Sequence, residues 1–170
     1  MTIPVLLALG SNLGNREDYL RRAVKELRAA GALMAIAPLY RTPPMGILEQ
    51  PPFYNTAIRL DVQLAAREVL QCCKDIEARV GRRPGKRWGP REIDIDVILY
   101  GQQIAAFEKL HLPHREFRKR RFVLQPLADI AGAFRDPQTG KALETLLQEC
   151  PDRSSLELIK QNWFADDPQF

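Results

Sequence analysis

An arginine-rich turn leads directly into an alternating apolar and acidic segment in the stretch Arg87-Trp88-Gly89-Pro90-Arg91-Glu92-Ile93-Asp94-Ile95-Asp96-Val97-Ile98-Leu99-Tyr100. Successive side chains of a β-strand point to opposite faces of its sheet. The alternation therefore predicts a strand whose core face is formed by Ile93, Ile95, Val97 and Leu99. Asp94 and Asp96 fall on the opposite face, with Cα atoms about 6.5–7 Å apart.

The acidic pair Asp94 and Asp96 is the candidate metal site. Two like charges on one face of a strand repel each other unless a cation lies between them or water solvates both. Carboxylate oxygens suit Mg²⁺, which commonly takes one or two of them and completes its shell with water and phosphate oxygens. Glu92 has the same parity and is a candidate third ligand, unless the strand begins after it. The pattern alone leaves a second interpretation open, in which the acids form the solvated face of an antiparallel sheet.

Composition narrows the class of protein without choosing a function. The 170 residues fit one domain with a real core. A net charge of +4 suits an anionic partner such as a nucleotide, a nucleic acid or a membrane surface. The three cysteines have no disulfide or metal-binding spacing, which predicts reduced thiols and a cytoplasmic protein. The N-terminus does not have the pattern of a signal peptide, and no apolar run approaches the roughly 18 residues of a membrane span.

The remaining elements follow from hydrophobic periodicity. Apolar runs predict strands at residues 3–9, 33–40 and 53–62, and apolar stripes predict helices from about residue 16 and over 65–80. With the strand that carries the acids, the order is β-α-β-β-α-β. We therefore predict an α+β fold, a ferredoxin-like antiparallel sheet with a C-terminal α/β extension. Residues 1–150 are the expected catalytic domain, and 151–170 the expected tail, with a short helix around Leu156 to Phe164.

Two irregular segments flank the predicted strands. Four prolines rule out regular structure in residues 41–52, and a loop of this length is usually functional or disordered. Residues 78–91 contain six basic side chains and no acid. Guanidinium groups bind phosphate bidentately, so arginines beside metal-holding acids favour phosphoryl transfer. A generic basic surface and a nucleic-acid contact are the alternatives for this loop. The chain has no G-x-x-x-x-G-K-[ST] motif, which excludes a P-loop enzyme.

Four blocks of motif residues occur in a fixed order along the chain. They are Gly10-Ser11-Asn12-Leu13; Tyr40-Arg41-Thr42-Pro43-Pro44-Met45-Gly46 with Asn55 downstream; Arg87-Trp88-Gly89-Pro90-Arg91 followed by Asp94 and Asp96; and Pro113-His114 followed by Arg120 and Phe122. Together they closely resemble the signature of 6-hydroxymethyl-7,8-dihydropterin pyrophosphokinases, a family of folate biosynthesis. The resemblance covers roughly residues 3 to 150.

This resemblance implies an enzyme that transfers the β,γ-diphosphate of ATP to the hydroxymethyl group of the pterin and releases AMP. It implies two Mg²⁺ ions on Asp94 and Asp96, with Arg82 and Arg91 stabilising the charge of the transferring group. The implied ATP-binding residues are Glu77, Arg83, Trp88, Arg91, His114 and Arg120. The implied pterin-binding residues are Thr42, Pro43, Pro44, Met45, Phe53, Asn55, Trp88 and Phe122. Its expected partners are these small molecules alone, with no nucleic acid and no membrane, and the expected state is a monomer.

Two other functions fit the same residues. A basic β-α-β-β-α-β sheet with exposed aromatic side chains is also typical of RNA-binding modules, although acids stand here on the strand where bases would stack. A two-metal phosphodiesterase would use the same aspartates without an acceptor substrate. Formation of AMP from ATP only when the pterin is present distinguishes the pyrophosphokinase from both.

Overall fold

The computed structural model describes residues 1–44, 46 and 48–164. Its elements in chain order are β1 (Ile3–Ser11), α1 (Arg16–Leu27), β2 (Gly31–Ile36), β3 (Leu39–Thr42), β4 (Phe53–Val62), α2 (Ala66–Val80), β5 (Asp94–Tyr100), β6 (Ala105–Ala106), β7 (His111–Leu112), a 3-10 turn (Phe117–Lys119), α3 (Arg121–Ala131), α4 (Leu143–Glu149) and β8 (Glu157–Lys160).

The main sheet is antiparallel and has the strand order β5-β1-β4-β3-β8, with β2 also paired to β4. The expected second strand is divided at Pro38 into β2 and β3, because proline cannot donate to the ladder. Both halves pair with the same long strand β4, so together they fill one position in the sheet. The predicted ferredoxin-like order, with its α/β extension, is therefore confirmed.

Helices cover both faces of this sheet. Helices α1 and α2 bury Leu20, Leu27 and Ile76 against odd-numbered β1 residues such as Leu7. On the other face, α3 and α4 form a second core. Its members include Leu6, Ala57, Leu99, Leu124, Leu127 and Leu146. The result is a three-layer arrangement with the sheet in the middle.

The face assigned to Leu99 was wrong. Leu7 pairs with Val97 and Leu6 with Leu99, so Ile98 is an extra residue in β5. A bulge of this kind reverses the alternation of all residues beyond it. Ile93, Ile95 and Val97 lie in the first core as predicted, whereas Leu99 is buried in the second core under α3. The acids Asp94 and Asp96 precede the bulge and keep the predicted face.

The helix expected near the C-terminus was also wrong within the part of the tail that the structure describes. Glu157–Lys160 forms β8, which pairs antiparallel with β3. Trp163 follows it and is fully buried in the first core. The apolar residues that suggested a helix are used instead to extend the sheet at an open edge, which local periodicity does not reveal. In the described residues, no helix combines the length and apolarity needed to cross a bilayer.

Candidate active site

A cavity of about 270 Å³ lies on the α3 side of the sheet. Helix α3 covers Leu6, Ala57 and Leu99 on this face. It leaves open the end of the sheet where β1 finishes and where β4 and β5 begin. Gly10 pairs with Asn55 on one side and with Asp94 on the other, so the three strands present these residues side by side. The sheet topology therefore forms the floor of the cavity from distant parts of the sequence.

The acidic side of the cavity is formed by Asp94 and Asp96. Both carboxylates are half-buried, and they lie on one face of β5 as the alternation predicts. Arg82 Nη1 donates to Asp94 Oδ1 at 2.9 Å and Arg91 Nη1 donates to the same oxygen at 3.2 Å. None of the hydrogen bonds found among the described residues ends on the Asp96 carboxylate, which leaves its oxygens available to a ligand in the cavity.

Asp96 is the electrostatically strained member of the pair. Burial raises the pKa of its carboxyl group to about 7, and the charge of Asp94 adds to the increase. Positive charge at Lys74 and Arg120 opposes this effect only in part. A divalent cation between the carboxylates would favour the ionised form of Asp96. The two carboxylates thus fit Mg²⁺, which is commonly bound by one or two protein carboxylates. Among the described residues, no three His, Cys, Asp or Glu side chains converge as a closed metal cage.

Glu77 lies behind the cavity and fixes its cationic wall. Its side chain is buried, with 3% of the side-chain surface exposed. Oε2 accepts hydrogen bonds from Arg82 Nη1 at 2.7 Å and from the backbone N–H of Ile95 at 2.8 Å. Oε1 accepts one from Lys74 at 3.2 Å. Glu77 therefore ties helix α2 to β5 and holds Arg82 against Asp94. Glu77 is not one of the residues that line the cavity.

His114 is held as a neutral imidazole at the edge of the cavity. Burial lowers the pKa of His114 to about 4, and the neighbouring charge of Arg120 acts in the same direction. Its Nδ1 accepts a hydrogen bond from the backbone N–H of Glu116 at 3.1 Å. In a neutral imidazole this leaves the proton on Nε2. His114 is therefore a hydrogen-bond donor, without positive charge, toward an anionic or polar ligand.

The opposite side of the cavity combines aromatic rings with a polar pair. Phe53 and Phe122 both line it, and Asn55 is buried with its Nδ2 donating to Thr42 Oγ1 at 2.6 Å. A Cβ atom at Gly10 would lie 2.6 Å from Asn55 Oδ1. Gly10 belongs to β1 and has no side chain. It leaves the space that the Asn55 carboxamide occupies.

Three loops around the cavity are linked through Asn12. Its Nδ2 donates to Gln50 Oε1 at 2.8 Å and to the carbonyl oxygen of Pro51 at 3.0 Å. Its Oδ1 accepts from the backbone N–H of Arg91 at 2.7 Å. Gln50 in turn donates to the carbonyl oxygen of Trp88 at 2.9 Å. The proline-rich loop and the basic loop are thus joined to each other and to the end of β1.

Most of the residues predicted for the site come together in this cavity. Those that line it are Thr42, Pro43, Phe53, Asn55, Arg82, Trp88, Arg91, Asp94, Asp96, His114, Arg120 and Phe122. Of the described residues that the resemblance implied, three do not line it: Glu77 lies behind it, Pro44 is half-buried beside it, and Arg83 is exposed on the arginine-rich loop. Met45 lies outside the described residues. Glu92 precedes β5 and does not reach the cavity, so it is not a third ligand in this structure.

Lys74 is a site residue that sequence reasoning missed. It lines the cavity from helix α2, although half of its side chain is exposed. A lysine on the polar face of an amphipathic helix normally faces only solvent. The one feature of the sequence that could have indicated a role in the site is its spacing of three residues from Glu77, because residues three apart are neighbours on a helix. The strand order, which brings α2 beside the edge strand β5, places its charge near Asp96.

The family model and the relatives of known name all point to the same pyrophosphokinase family. The 7,8-dihydro-6-hydroxymethylpterin-pyrophosphokinase family model matches residues 6–132. A 2-amino-4-hydroxy-6-hydroxymethyldihydropteridine pyrophosphokinase of Pseudomonas aeruginosa is 40% identical over 149 residues, which cover 86% of this chain and 91% of the relative. An enzyme of the same name from Methylorubrum extorquens is 46% identical over 127 residues, covering 74% of this chain and 80% of the relative.

Solved structures agree on the fold. The chain superimposes on a Plasmodium falciparum HPPK-DHPS structure with a TM-score of 0.70 and 14% sequence identity. The match covers 88% of this chain but 45% of the Plasmodium chain, so this chain spans less than half the length of that protein. At this level of identity the likeness concerns the fold alone.

Proposed function

The chain belongs to the 7,8-dihydro-6-hydroxymethylpterin-pyrophosphokinase family, and on this premise we propose how its cavity transfers the diphosphate. The reaction of such an enzyme moves the β,γ-diphosphate of ATP to the hydroxymethyl oxygen of 6-hydroxymethyl-7,8-dihydropterin and releases AMP, in folate biosynthesis. The observation that carries the proposal is that one cavity contains both an acidic pair faced by arginines and an aromatic slot with a fixed amide. The relatives support neither an RNA-binding module nor a phosphodiesterase.

Asp94 and Asp96 are the proposed ligands of two Mg²⁺ ions. The bound ions would neutralise the charge of the ATP phosphates and organise the attacking and leaving oxygens. Support comes from the shared face of the two carboxylates, the free oxygens of Asp96 and the raised pKa of its carboxyl group. Arg82 and Arg91 already contact Asp94. They therefore lie within reach of a phosphate bound beside it, where they would stabilise the charge of the transferring group.

The nucleotide would be held by cavity residues from several elements. Arg120 stands 5.5 Å from the ring centre of Trp88, which makes a cation–π contact between the two predicted ATP-binding residues. His114 Nε2 would donate to a phosphate or ribose oxygen, and Lys74 adds a further charge from α2. Glu77 would act through Arg82 instead of touching the nucleotide. Arg83 would reach ATP only through movement of the basic loop.

The pterin would occupy the slot between Phe53, Phe122 and the Asn55 amide. A planar heterocycle stacks on aromatic rings. An amide held in one orientation forms hydrogen bonds only with a ligand whose donors and acceptors are in complementary positions. The hydrogen bond between Asn55 and Thr42 fixes which way this amide points. A site built in this way rejects an analogue with the wrong polar edge, because buried groups would lose their partners. Thr42 and Pro43, which line the cavity, would form the wall of this slot.

Cell location and oligomeric state complete the proposal. We expect a monomer in the cytoplasm that binds these small molecules and neither nucleic acid nor membranes. Among the described residues, Cys72, Cys73 and Cys150 are all free, which suits a reducing compartment.

The product assay tests the proposed function directly. Incubation of the chain with ATP, Mg²⁺ and 6-hydroxymethyl-7,8-dihydropterin should release AMP in a one-to-one ratio with pterin diphosphate. Chromatography separates AMP, ADP and the pterin product. Omission of the pterin is the control, and it should leave ATP intact. Release of ADP would contradict diphosphate transfer, and release of AMP without an acceptor would favour a phosphodiesterase.

Gly10→Ala should selectively weaken pterin binding. The new Cβ would lie 2.6 Å from Asn55 Oδ1 and 3.5 Å from a Phe53 ring atom, so the amide would have to move. We expect the KM for the pterin to rise about tenfold, since about 1.4 kcal/mol of lost recognition has this effect. The KM for ATP should change less than about twofold, because the acidic side is untouched. Steady-state kinetics with each substrate varied in turn provides the measurement.

Gly85→Ala is the matched control for this variant. A Cβ there would meet the carbonyl oxygen of Pro90 at an ordinary contact distance of 3.8 Å. It should leave the KM for the pterin unchanged. Equal values for Gly10→Ala and the wild type would contradict the role given to Asn55.

A further inference from the structure

The segment from Asp152 to Trp163 contacts two different walls of the substrate cavity. It lies beyond residues 6–132, which carry the family match. We propose that this segment is a brace, with Asp152 as a positioning residue, that sets the distance between the α3 wall and the β3 wall of the pterin slot. The proposal rests on the function proposed above.

The first contact of the brace is with the beginning of α3. Within the described residues, the side chain of Arg120, which precedes this helix, does not cap it. The Asp152 carboxylate takes this place, because its Oδ2 accepts the backbone N–H of Arg121 at 3.0 Å. A carboxylate at a helix N-terminus satisfies a free N–H and interacts favourably with the helix dipole. Asp152 therefore stabilises the turn that carries Arg120, Phe122 and Val123, all of which line the cavity.

Asp152 is itself held in place by its neighbours. Its Oδ1 accepts the backbone N–H of Ser154 at 2.9 Å. Arg121 Nη1 donates to the carbonyl oxygen of Ser154 at 3.1 Å. Burial would raise the pKa of Asp152, but the hydrogen bonds from Ser154 and Arg121 outweigh it and hold the pKa below its ordinary value. The cap is therefore an ionised carboxylate at neutral pH.

The second contact of the brace is with β3. Strand β8 pairs with β3 through Tyr40–Leu158 and Arg41–Glu157, and the side chains of Arg41 and Glu157 also form an ion pair. Trp163 is fully buried, and its Nε1–H donates to the carbonyl oxygen of Ala37 at 2.9 Å. Strand β3 ends at Thr42, the residue whose hydroxyl orients Asn55. The C-terminal segment thus supports the polar wall of the slot as well as its aromatic wall.

One further link joins the same two elements. Tyr40 of β3 donates a hydrogen bond to Asp129, near the end of α3 opposite to Phe122. This link fixes the far end of the helix, whereas Asp152 fixes the end at the cavity. Loss of Asp152 would therefore let the first turn of α3 shift without separating the whole helix from the sheet. Such a shift should weaken pterin binding more than it slows the chemical step at Asp94 and Asp96, which belong to β5.

Asp152→Ala tests the brace through a split between KM and kcat. We expect the KM for the pterin to rise about fivefold, because loss of a helix cap costs about 1 kcal/mol, which is about a fivefold change in an equilibrium constant. The kcat should stay within about twofold of the wild-type value. A merely structural role would lower the fraction of active enzyme, and so kcat, and leave KM unchanged. Asp152→Asn should restore the wild-type KM, because the asparagine oxygen also accepts an N–H at a helix start.

Glu149→Ala is the matched control. It removes a nearby exposed carboxylate, paired with Lys141 at 2.7 Å, that touches neither wall. A KM for the pterin that equals the wild-type value in Asp152→Ala, or a fall in kcat alone, would overturn the proposal. If Asp152→Ala does not fold, Trp163→Phe is the second variant. It keeps most of the buried ring, loses the hydrogen bond to Ala37, and should show the same rise in KM.

Hydrogen exchange gives a readout that does not depend on turnover. The N–H groups of Val123 and Leu124 both donate to the Arg120 carbonyl oxygen in the first turn of α3. In Asp152→Ala they should exchange about fivefold faster, with amides of the β1–β4 ladder unaffected. Unchanged exchange would overturn the brace. A wild-type chain that forms no AMP would instead overturn the proposed function, so the two failures are distinguishable.

Discussion

Replacing Asp96 with asparagine is expected to lower kcat by at least about 1,000-fold, because an interaction that neutralises transition-state charge contributes several kcal/mol. The asparagine keeps the size of the side chain and one oxygen but loses the charge that a metal ion requires. Asp94→Asn should have a comparable effect. It also removes the charge that Arg82 and Arg91 contact at 2.9 and 3.2 Å.

Neither replacement should unfold the protein. The two carboxylates raise each other's electrostatic energy in the free chain, so removing one charge relieves repulsion. Circular dichroism and thermal melting should therefore show a folded chain, with Asp96→Asn at least as stable as the wild type in metal-free buffer. Quenched-flow or steady-state AMP formation at increasing Mg²⁺ concentration measures the rate and the dependence on metal.

Glu92→Ala is the matched control for both aspartate variants. Glu92 lies two residues before Asp94 and has the same parity, but it precedes β5 and does not line the cavity. Its loss should change kcat less than about threefold, as expected for a half-buried charge away from the reacting atoms. A loss of activity in Glu92→Ala equal to that in Asp94→Asn would mean that the acid assignment is wrong. Retention of near wild-type rates in either aspartate variant would refute the metal site.

Glu77→Ala should lower both the stability of the fold and the rate. The change removes the acceptor of three hydrogen bonds, two of them charged, from a buried position. Breaking one side of a buried charged pair leaves the other side uncompensated, so the free energy of unfolding should fall by about 3 kcal/mol. Arg82 would no longer be held against Asp94, and kcat should fall about 100-fold. Urea denaturation and AMP formation provide the two measurements.

Glu77→Gln separates the two effects. The glutamine oxygen still accepts the N–H of Ile95, so most of the stability should remain, whereas the charge that holds Arg82 is lost. Asp75→Asn is the control on the same helix, since Asp75 is exposed and bonded only to Gln71, at 2.8 Å, among the described residues. A wild-type unfolding free energy and rate in Glu77→Ala would contradict the role of Glu77 as the support of Arg82.

Much of the site could be predicted because each part has a local signature. The two-residue period of β5 places the side chains of Asp94 and Asp96 on the same face of the strand, independently of how the sheet packs. The acid-free arginine loop and the proline-rich loop are recognisable from composition alone. These local signatures do not predict which distant segments of the chain contact each other. Lys74 looked like an ordinary surface lysine, and Glu77, expected among the ATP-binding residues, lies behind the cavity as the support of Arg82.

The β-α-β-β-α-β order and the shared face of Asp94 and Asp96 could be predicted from the chain alone, because side-chain alternation and helical periodicity depend only on neighbouring residues. The other features depend on contacts between segments that are distant along the chain. The bulge at Ile98 moved Leu99 to the second core, since its register depends on pairing with β1. Gly10 provides room for Asn55, 45 residues away along the chain, and Asp152 caps a helix that begins 31 residues before it. Such contacts depend on how the strands pair and how the helices pack, and no local pattern encodes them.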